Sequence, residues 1–441
     1  MRVAGPDAAR VEGTATCSFG EGMTSRLFKW IGITACLWPA LVSVPAMRIT
    51  LDRGPAGEFR VRVRDGEETG GYAVLTRAGL GDGSWSFAGG ADRWPDGGTE
   101  WTFEPAERSG FFRVRRSPRG EDIDPRRDSS YSRFAISLSL GPNGIDFIDP
   151  DYGVTVYTLS YDTFDHRGLA SRASGRLCIP QGSGSFPLLS YQHGTMYKRS
   201  EAVACVDMLR AVRTYVEQTS SLSLNGDLYI FGYSQGGHAT LALQRELETR
   251  HGDEFSLTAS APMAGPHDLS GVMADLMLGP QPSPDPGYSA YLLLGYNGVY
   301  RWFDDLSDVL VPPYDVTLPA VLDGEHTAAQ VNAEMPDIPR EIFRPEFIAE
   351  FDADPDHVFR EALRANDTYR EWVPAVTTRF YHCSGDTTVP KENSWTAYSN
   401  FFARGCRCIS IEDPGPVTDH EAGALPCIEA ALQWFETLRA R

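Results

Sequence analysis

A chain of 441 residues, 42% hydrophobic and 22% charged, is long enough for more than one core and too evenly mixed to be fibrous or disordered. Its net charge of −19 disfavours nucleic acid and anionic membrane as partners. No apolar run is long and unbroken enough for a comfortable transmembrane span, so no transmembrane segment is expected in the mature chain.

The first 46 residues read as a leader. Translation is expected to begin at Met23, where MTSRLFKW supplies Arg26 and Lys29 before an apolar stretch from Trp30 to Val44. Val44 and Ala46 are small residues at the −3 and −1 positions of a cut after Ala46. The expected location is therefore secreted, periplasmic or at the cell surface; lipidation at Cys36, in Ile33-Thr34-Ala35-Cys36, is the alternative. Six cysteines remain after the cut: Cys178, Cys205, Cys383, Cys406, Cys408 and Cys427. An even number in an exported chain suggests disulfides, with the pairing open. Cys406-Arg407-Cys408 is not a C-x-x-C pair and no histidine stands at ligand spacing nearby, so zinc is not expected there.

Residues 47–116 read as a small all-β module. Short alternating or aromatic runs such as EFRVRVRD and GFFRVRR are separated by Gly, Pro and Asp. Trp85, Trp94 and Trp101 give the module a possible contact with carbohydrate, against the simpler reading that they fill its core. The charged, proline-containing stretch 117–130 reads as a linker.

From residue 131 the pattern changes. Strand-like runs Val154–Tyr161 and Leu169–Ile179 flank the turn signal Asp165-His166-Arg167-Gly168, and Phe186–Gln192 is a compact apolar strand. Cys205, Met208, Leu209, Val212 and Val216 recur at helical spacing. Asp227–Phe231 is another apolar strand and His238–Glu248 a helix-like run. Strands alternating with helices imply a mainly parallel sheet with helices on both faces. Residues 270–376, rich in Pro, Tyr and Asp, interrupt that rhythm and read as an inserted cap with helical pieces such as Val358–Ala365. Tyr288, Tyr291, Tyr296, Tyr300 and Trp302 either line an aromatic pocket or form cap core. The alternation resumes at Thr378–Cys383 and Cys408–Ile411 and ends in a helix from Cys427 to Leu438.

The chemistry centres on Gly232-Tyr233-Ser234-Gln235-Gly236, a G-x-S-x-G run between a strand and a helix. With 43 glycines in the chain the motif alone is weak; its context makes it a nucleophile elbow, where Gly232 and Gly236 leave room around Ser234. The Gln235 N–H at the helix start is a candidate oxyanion donor. A second donor is expected from Gly194 or Thr195, just past the strand ending at Gln192. A serine needs a base, and the base an orienting acid. Asp386 stands in a Gly-Asp turn after an apolar strand, and of the nine histidines only His420 lies beyond it, before the last helix. Asp419 is a poorer acid, since adjacent side chains rarely aim at each other.

Residues 152–441 resemble the secretory lipases of the lipase A type and their bacterial esterase relatives. The resemblance runs through Tyr191-Gln192-His193-Gly194-Thr195, the elbow, and the stretch from Asn366 through Trp372-Val373-Pro374 to Tyr381-His382-Cys383-Ser384-Gly385-Asp386-Thr387-Thr388-Val389-Pro390. It implies an α/β-hydrolase fold with a cap between nucleophile and acid, and hydrolysis of small-molecule or lipid carboxylic esters without metal or cofactor. The absence of an obvious long amphipathic lid helix is a departure that bears on action at an oil surface. Two other readings stand beside it: a serine peptidase of the prolyl-oligopeptidase type, for which residues 47–116 are too few to form a propeller, and an inactive hydrolase-fold binding module.

Overall fold

The computed structural model describes Gly120 and residues 122–164, 170–194, 202–219, 222–323 and 326–439, together with the strand backbones of seven segments before residue 118. The chain divides into two compact units, residues 1–126 with 158–177 and residues 127–157 with 178–441.

In the first unit the alternating runs form antiparallel sheets. Arg48–Arg53, Phe59–Arg64 and Glu100–Phe103 make one, and Glu12–Cys17, Gly110–Ser117, Gly71–Arg77 and Ser86–Phe87 the other. The leader's apolar stretch, its cut site, Cys36 and the side chains of Trp85, Trp94 and Trp101 lie outside the described residues. The stretch expected as a linker carries the strand Asp124–Tyr131, which joins Val154–Phe164 and Ala170–Pro180 in a three-stranded sheet.

The second unit is built on a five-stranded parallel sheet: β1 (Gly184–Gln192), β2 (Leu222–Tyr233), β3 (Leu257–Met263), β4 (Thr378–Tyr381) and β5 (Ile409–Glu412), in that order. Helix α1 (Ala202–Thr219) connects β1 to β2 and α2 (Gln235–Arg250) connects β2 to β3. The central strand explains the layering. Leu228 and Ile230 of β2 pack with Val206 and Leu209 of α1 and Leu243 and Leu247 of α2. Tyr229, Phe231 and Tyr233 point the other way and pack near Trp434 and Phe435 of the last helix. A strand buried on both faces reads as an unbroken apolar run, because neither side of its pleat meets water.

Between β3 and β4 lies the cap, in which short helices are joined by loops: α3 (Ala274–Leu278), α4 (Gly287–Tyr300), α5 (Tyr314–Val321), α6 (Ala328–Ala333), α7 (Pro345–Ala353) and α8 (Val358–Ala365). It has its own core, in which Leu293, Leu310, Leu318, Phe343, Phe347, Phe359 and Leu363 come together. Helix α9 (Glu392–Ala403) follows β4 and packs Ala397 and Phe401 beside Phe380. Helix α10 (Ala424–Arg439) closes the chain. Among the described residues no helix is long and apolar enough to cross a membrane.

Candidate active site

β2 ends at Tyr233 and α2 starts at Gln235, so Ser234 alone makes the turn between them. It does so at φ 62° and ψ −128°, a region that residues with a Cβ rarely occupy and that costs about 1–3 kcal/mol. The turn is held from three sides. Ser234 N–H donates to the Met263 carbonyl of β3 at 3.0 Å, and the Ser234 carbonyl accepts from Gly237 N at 2.8 Å and His238 N at 3.2 Å. A Cβ on Gly232 would lie 2.5 Å from the Gln192 carbonyl, and one on Gly236 2.1 Å from the same oxygen. The end of β1 thus packs backbone to backbone against the elbow, and only glycine fits either position. Thr240 ties the same corner, its one hydroxyl proton shared between the Gly236 carbonyl at 2.7 Å and Gln192 Oε1 at 3.0 Å.

Asp386 arrives on the turn after β4, where Gly385 takes φ 95° and leaves no room for a Cβ against the Val417 carbonyl. The Asp386 side chain is 1% exposed. Its Oδ1 accepts from Thr388 N at 3.1 Å and Val389 N at 2.9 Å, and its Oδ2 accepts from His420 Nδ1 at 2.6 Å. Burial pushes this carboxyl up, but hydrogen bonds from His382 and His420, the charge of His420 and the Val389 N–H outweigh it and hold the pKa at about 2.

His420 stands at the end of the loop after β5. Val417 N–H donates to the Ser384 carbonyl at 2.9 Å, fastening this loop to the acid turn. Tyr233, the residue before the serine, donates its hydroxyl to the His420 carbonyl at 2.6 Å. With Nδ1 donating to a carboxylate, the neutral ring offers Nε2 as an acceptor, and Nε2 is 2.7 Å from Ser234 Oγ. Asp419 faces away from this role, accepting from Ala422 N at 2.8 Å as a turn cap.

Ser234, His420 and Asp386, which are 186 and 34 residues apart in successive pairs, thus form one hydrogen-bonded chain. Gly194 belongs to the same place: a Cβ on it would lie 4.0 Å from Ser234 Cβ. Thr195 lies outside the described residues. Gln235 opens α2, and its side chain hydrogen-bonds the Tyr291 hydroxyl of α4, which brings the cap against the residue beside the serine. Of the other cap aromatics, Tyr296 and Trp302 pack on the cap core, and Tyr300 stacks on Trp302 at 4.9 Å.

Three contributions had no role assigned from the sequence. Tyr233 occupies a position the motif leaves open. Thr388 donates its hydroxyl to Asp285 Oδ2 at 2.7 Å, and Asn332 donates to the other oxygen of Asp285 at 3.0 Å, which links α6 and the start of α4 to the acid turn. The run from Asn366 to Trp372 is a knot joining the two ends of the cap. Asp367 accepts from Ser270 and Arg370, Tyr369 donates to Asp268, and Trp372 donates to the Thr368 carbonyl. Among the described residues no disulfide is formed; Cys383 and Cys427 stand with sulfurs 3.7 Å apart, and Cys406 and Cys408 3.1 Å apart.

This fold, with a parallel sheet, a serine elbow and an inserted cap, is the α/β-hydrolase fold, preceded here by antiparallel β structure. No protein-family model and no curated protein matches the chain. Solved structures do. A ligand-bound form of the rice cell wall degrading esterase LipA from Xanthomonas oryzae is 25% identical over 73% of this chain and 98% of that one, with a TM-score of 0.64. A protein from Legionella pneumophila classed as a hydrolase shares the fold, at 21% identity, 71% and 97% coverage and a TM-score of 0.65. Candida antarctica lipase A in its closed state shares it at 14% identity, 73% and 82% coverage and a TM-score of 0.53. The neighbours with a named activity are esterases or lipases.

Proposed function

We propose that this protein is an exported serine hydrolase of carboxylic esters, with Ser234 as nucleophile, His420 as base and Asp386 as the acid that orients it. The observation that carries the reading is the chain Ser234 Oγ to His420 Nε2 at 2.7 Å and His420 Nδ1 to Asp386 Oδ2 at 2.6 Å, anchored on a strained elbow. As Ser234 Oγ attacks the ester carbonyl, its proton passes to His420 Nε2, and the imidazolium is stabilised by the ionised Asp386. Negative charge collects on the former carbonyl oxygen, where the Gln235 N–H and the Gly194-Thr195 backbone are assigned as donors. His420 then protonates the leaving alcohol, and water, deprotonated by the same nitrogen, releases the acid.

The LipA neighbour, an esterase that degrades rice cell walls, supports ester rather than amide substrates. The export reading rests on the leader pattern before Ala46. In an oxidising compartment Cys383–Cys427 and Cys406–Cys408 are the pairs within reach of joining. Labelling the whole chain with a fluorophosphonate tests the site: covalent modification of Ser234, with turnover of a chromogenic ester, is the expected result. A folded protein that neither labels nor turns over would instead be a binding module, and turnover of peptide amides in preference to esters would make it a peptidase.

A further inference from the structure

His382 is a buried histidine beside the acid turn, directly after β4 and before Gly385, and the mechanism above leaves it unused. Both its ring nitrogens are engaged. Nε2 is 2.8 Å from the Val389 carbonyl, and a carbonyl can only accept, so Nε2 carries the proton. Nδ1 is 2.8 Å from Ser394 Oγ on α9. In a neutral ring protonated at Nε2 that nitrogen accepts, so Ser394 is the donor and fixes the tautomer from behind. A ring held in this way is unsuited to serve as the base for Ser234.

The same Nε2–H has a second, longer arm. It lies 3.4 Å from Asp386 Oδ2, the oxygen that also receives His420 Nδ1–H, and both side chains are 1% exposed. Asp386 Oδ1 accepts the Thr388 and Val389 amides and Oδ2 accepts His420 Nδ1–H, with the polar Nε2 edge of His382 as the further neighbour of Oδ2 at 3.4 Å. Because Val389 supplies the amide for Oδ1 and the carbonyl for His382, one residue registers both contacts.

We propose that His382 is a positioning residue, whose Nε2–H, donated to the Val389 carbonyl and 3.4 Å from Asp386 Oδ2, holds by contact and by charge the carboxylate oxygen that orients His420. This rests on the reading of Ser234, His420 and Asp386 as the reacting set. The longer arm is the weaker one, so the effect is a fraction of what Asp386 itself does.

The test uses the full chain and a p-nitrophenyl ester, with Ser234→Ala as the control for the underlying reading. His382→Leu fills much of the ring volume without a donor, and His382→Gln places an amide N–H near the position of Nε2. The expected result is a kcat about tenfold lower for His382→Leu with KM unchanged, most of it restored in His382→Gln. Ser394→Ala, a small change that frees the ring to turn, is expected to lower kcat by less. If His382→Leu fails to fold, a retained His382→Gln together with a reduced Ser394→Ala supports the proposal, and an undiminished Ser394→Ala overturns it. An unchanged kcat in His382→Leu, or equal losses in Leu and Gln, would overturn it as well. If the wild-type chain does not turn over at all, the reading of the reacting set fails on its own, and the His420 Nδ1–H proton resonance decides about His382. That far-downfield signal is expected to shift in His382→Leu and to persist in His382→Gln; a signal indifferent to His382→Leu overturns the proposal.

Discussion

The elbow and the cap sit on either side of the same serine and are held by opposite means. The elbow is backbone on backbone: glycines at 232 and 236 bring the Gln192 carbonyl to distances at which no Cβ could stand. The cap is side chain on side chain, with aromatic residues such as Phe343 stacked on Phe347 at 5.3 Å and a knot of hydrogen bonds closing its two ends. A backbone-built site tolerates almost no change at a few positions. A side-chain-built one spreads its stability over many positions, each replaceable at a graded cost.

Substitutions at the reacting atoms should have the largest effect. Ser234→Ala is expected to lower kcat by roughly a millionfold without loss of fold, as seen when a serine nucleophile of a triad is removed; active-site titration and ester turnover would measure it. Asp386→Asn keeps the shape of the acid but favours the wrong His420 tautomer, and a loss of roughly ten-thousandfold is expected. Next comes the contrast itself. Gly236→Ala should destabilise the chain by more than about 3 kcal/mol and abolish fluorophosphonate labelling, because its Cβ meets backbone that cannot yield. Phe347→Ala should cost a similar amount, about 3–5 kcal/mol in chemical denaturation, yet leave labelling of Ser234 in the folded fraction. Labelling lost in both variants would show that the two regions are one cooperative structure.

The smallest effect is one of pH. Asp386 is held at about 2, below its ordinary 3.8. A group whose native pKa is depressed stabilises the fold fully above its unfolded pKa and loses that contribution as pH falls through its native value. The difference in Tm between the wild type and Asp386→Asn should therefore be constant above about pH 5 and shrink as pH falls from about 4 towards 2. A difference independent of pH over that range would contradict the buried, ionised carboxylate.

The proposed set could be picked out of the sequence because each member follows a strand and carries a local mark. Ser234 has glycines on both sides, Asp386 follows Gly385, and His420 is the one histidine in the remaining chain. The parallel strands were legible because burial on both faces leaves an unbroken apolar run, as in Leu228–Phe231. The cap was not. Its helices are mostly under ten residues, too short for a period to establish itself, and α4 is apolar around most of its surface. Val358–Ala365 stood out because Phe359, Ala362 and Leu363 mark one face of it. The expected linker at 117–130 carried a strand at Asp124–Tyr131 because charged residues can pair through their backbones while their side chains remain in water.

By itself the sequence determined the elbow, the order of Ser234, Asp386 and His420 along the chain, and the layers of the sheet, since glycine sterics and strand periodicity act within a few residues. Only the tertiary structure decided what surrounds them. Tyr233 on the His420 carbonyl, Thr388 on Asp285, and His382 between Val389 and Asp386 are contacts made by directed polar groups across folded distance. A hydrogen bond between side chains that the fold brings together leaves no period in the chain, so nothing short of the packed structure reveals it.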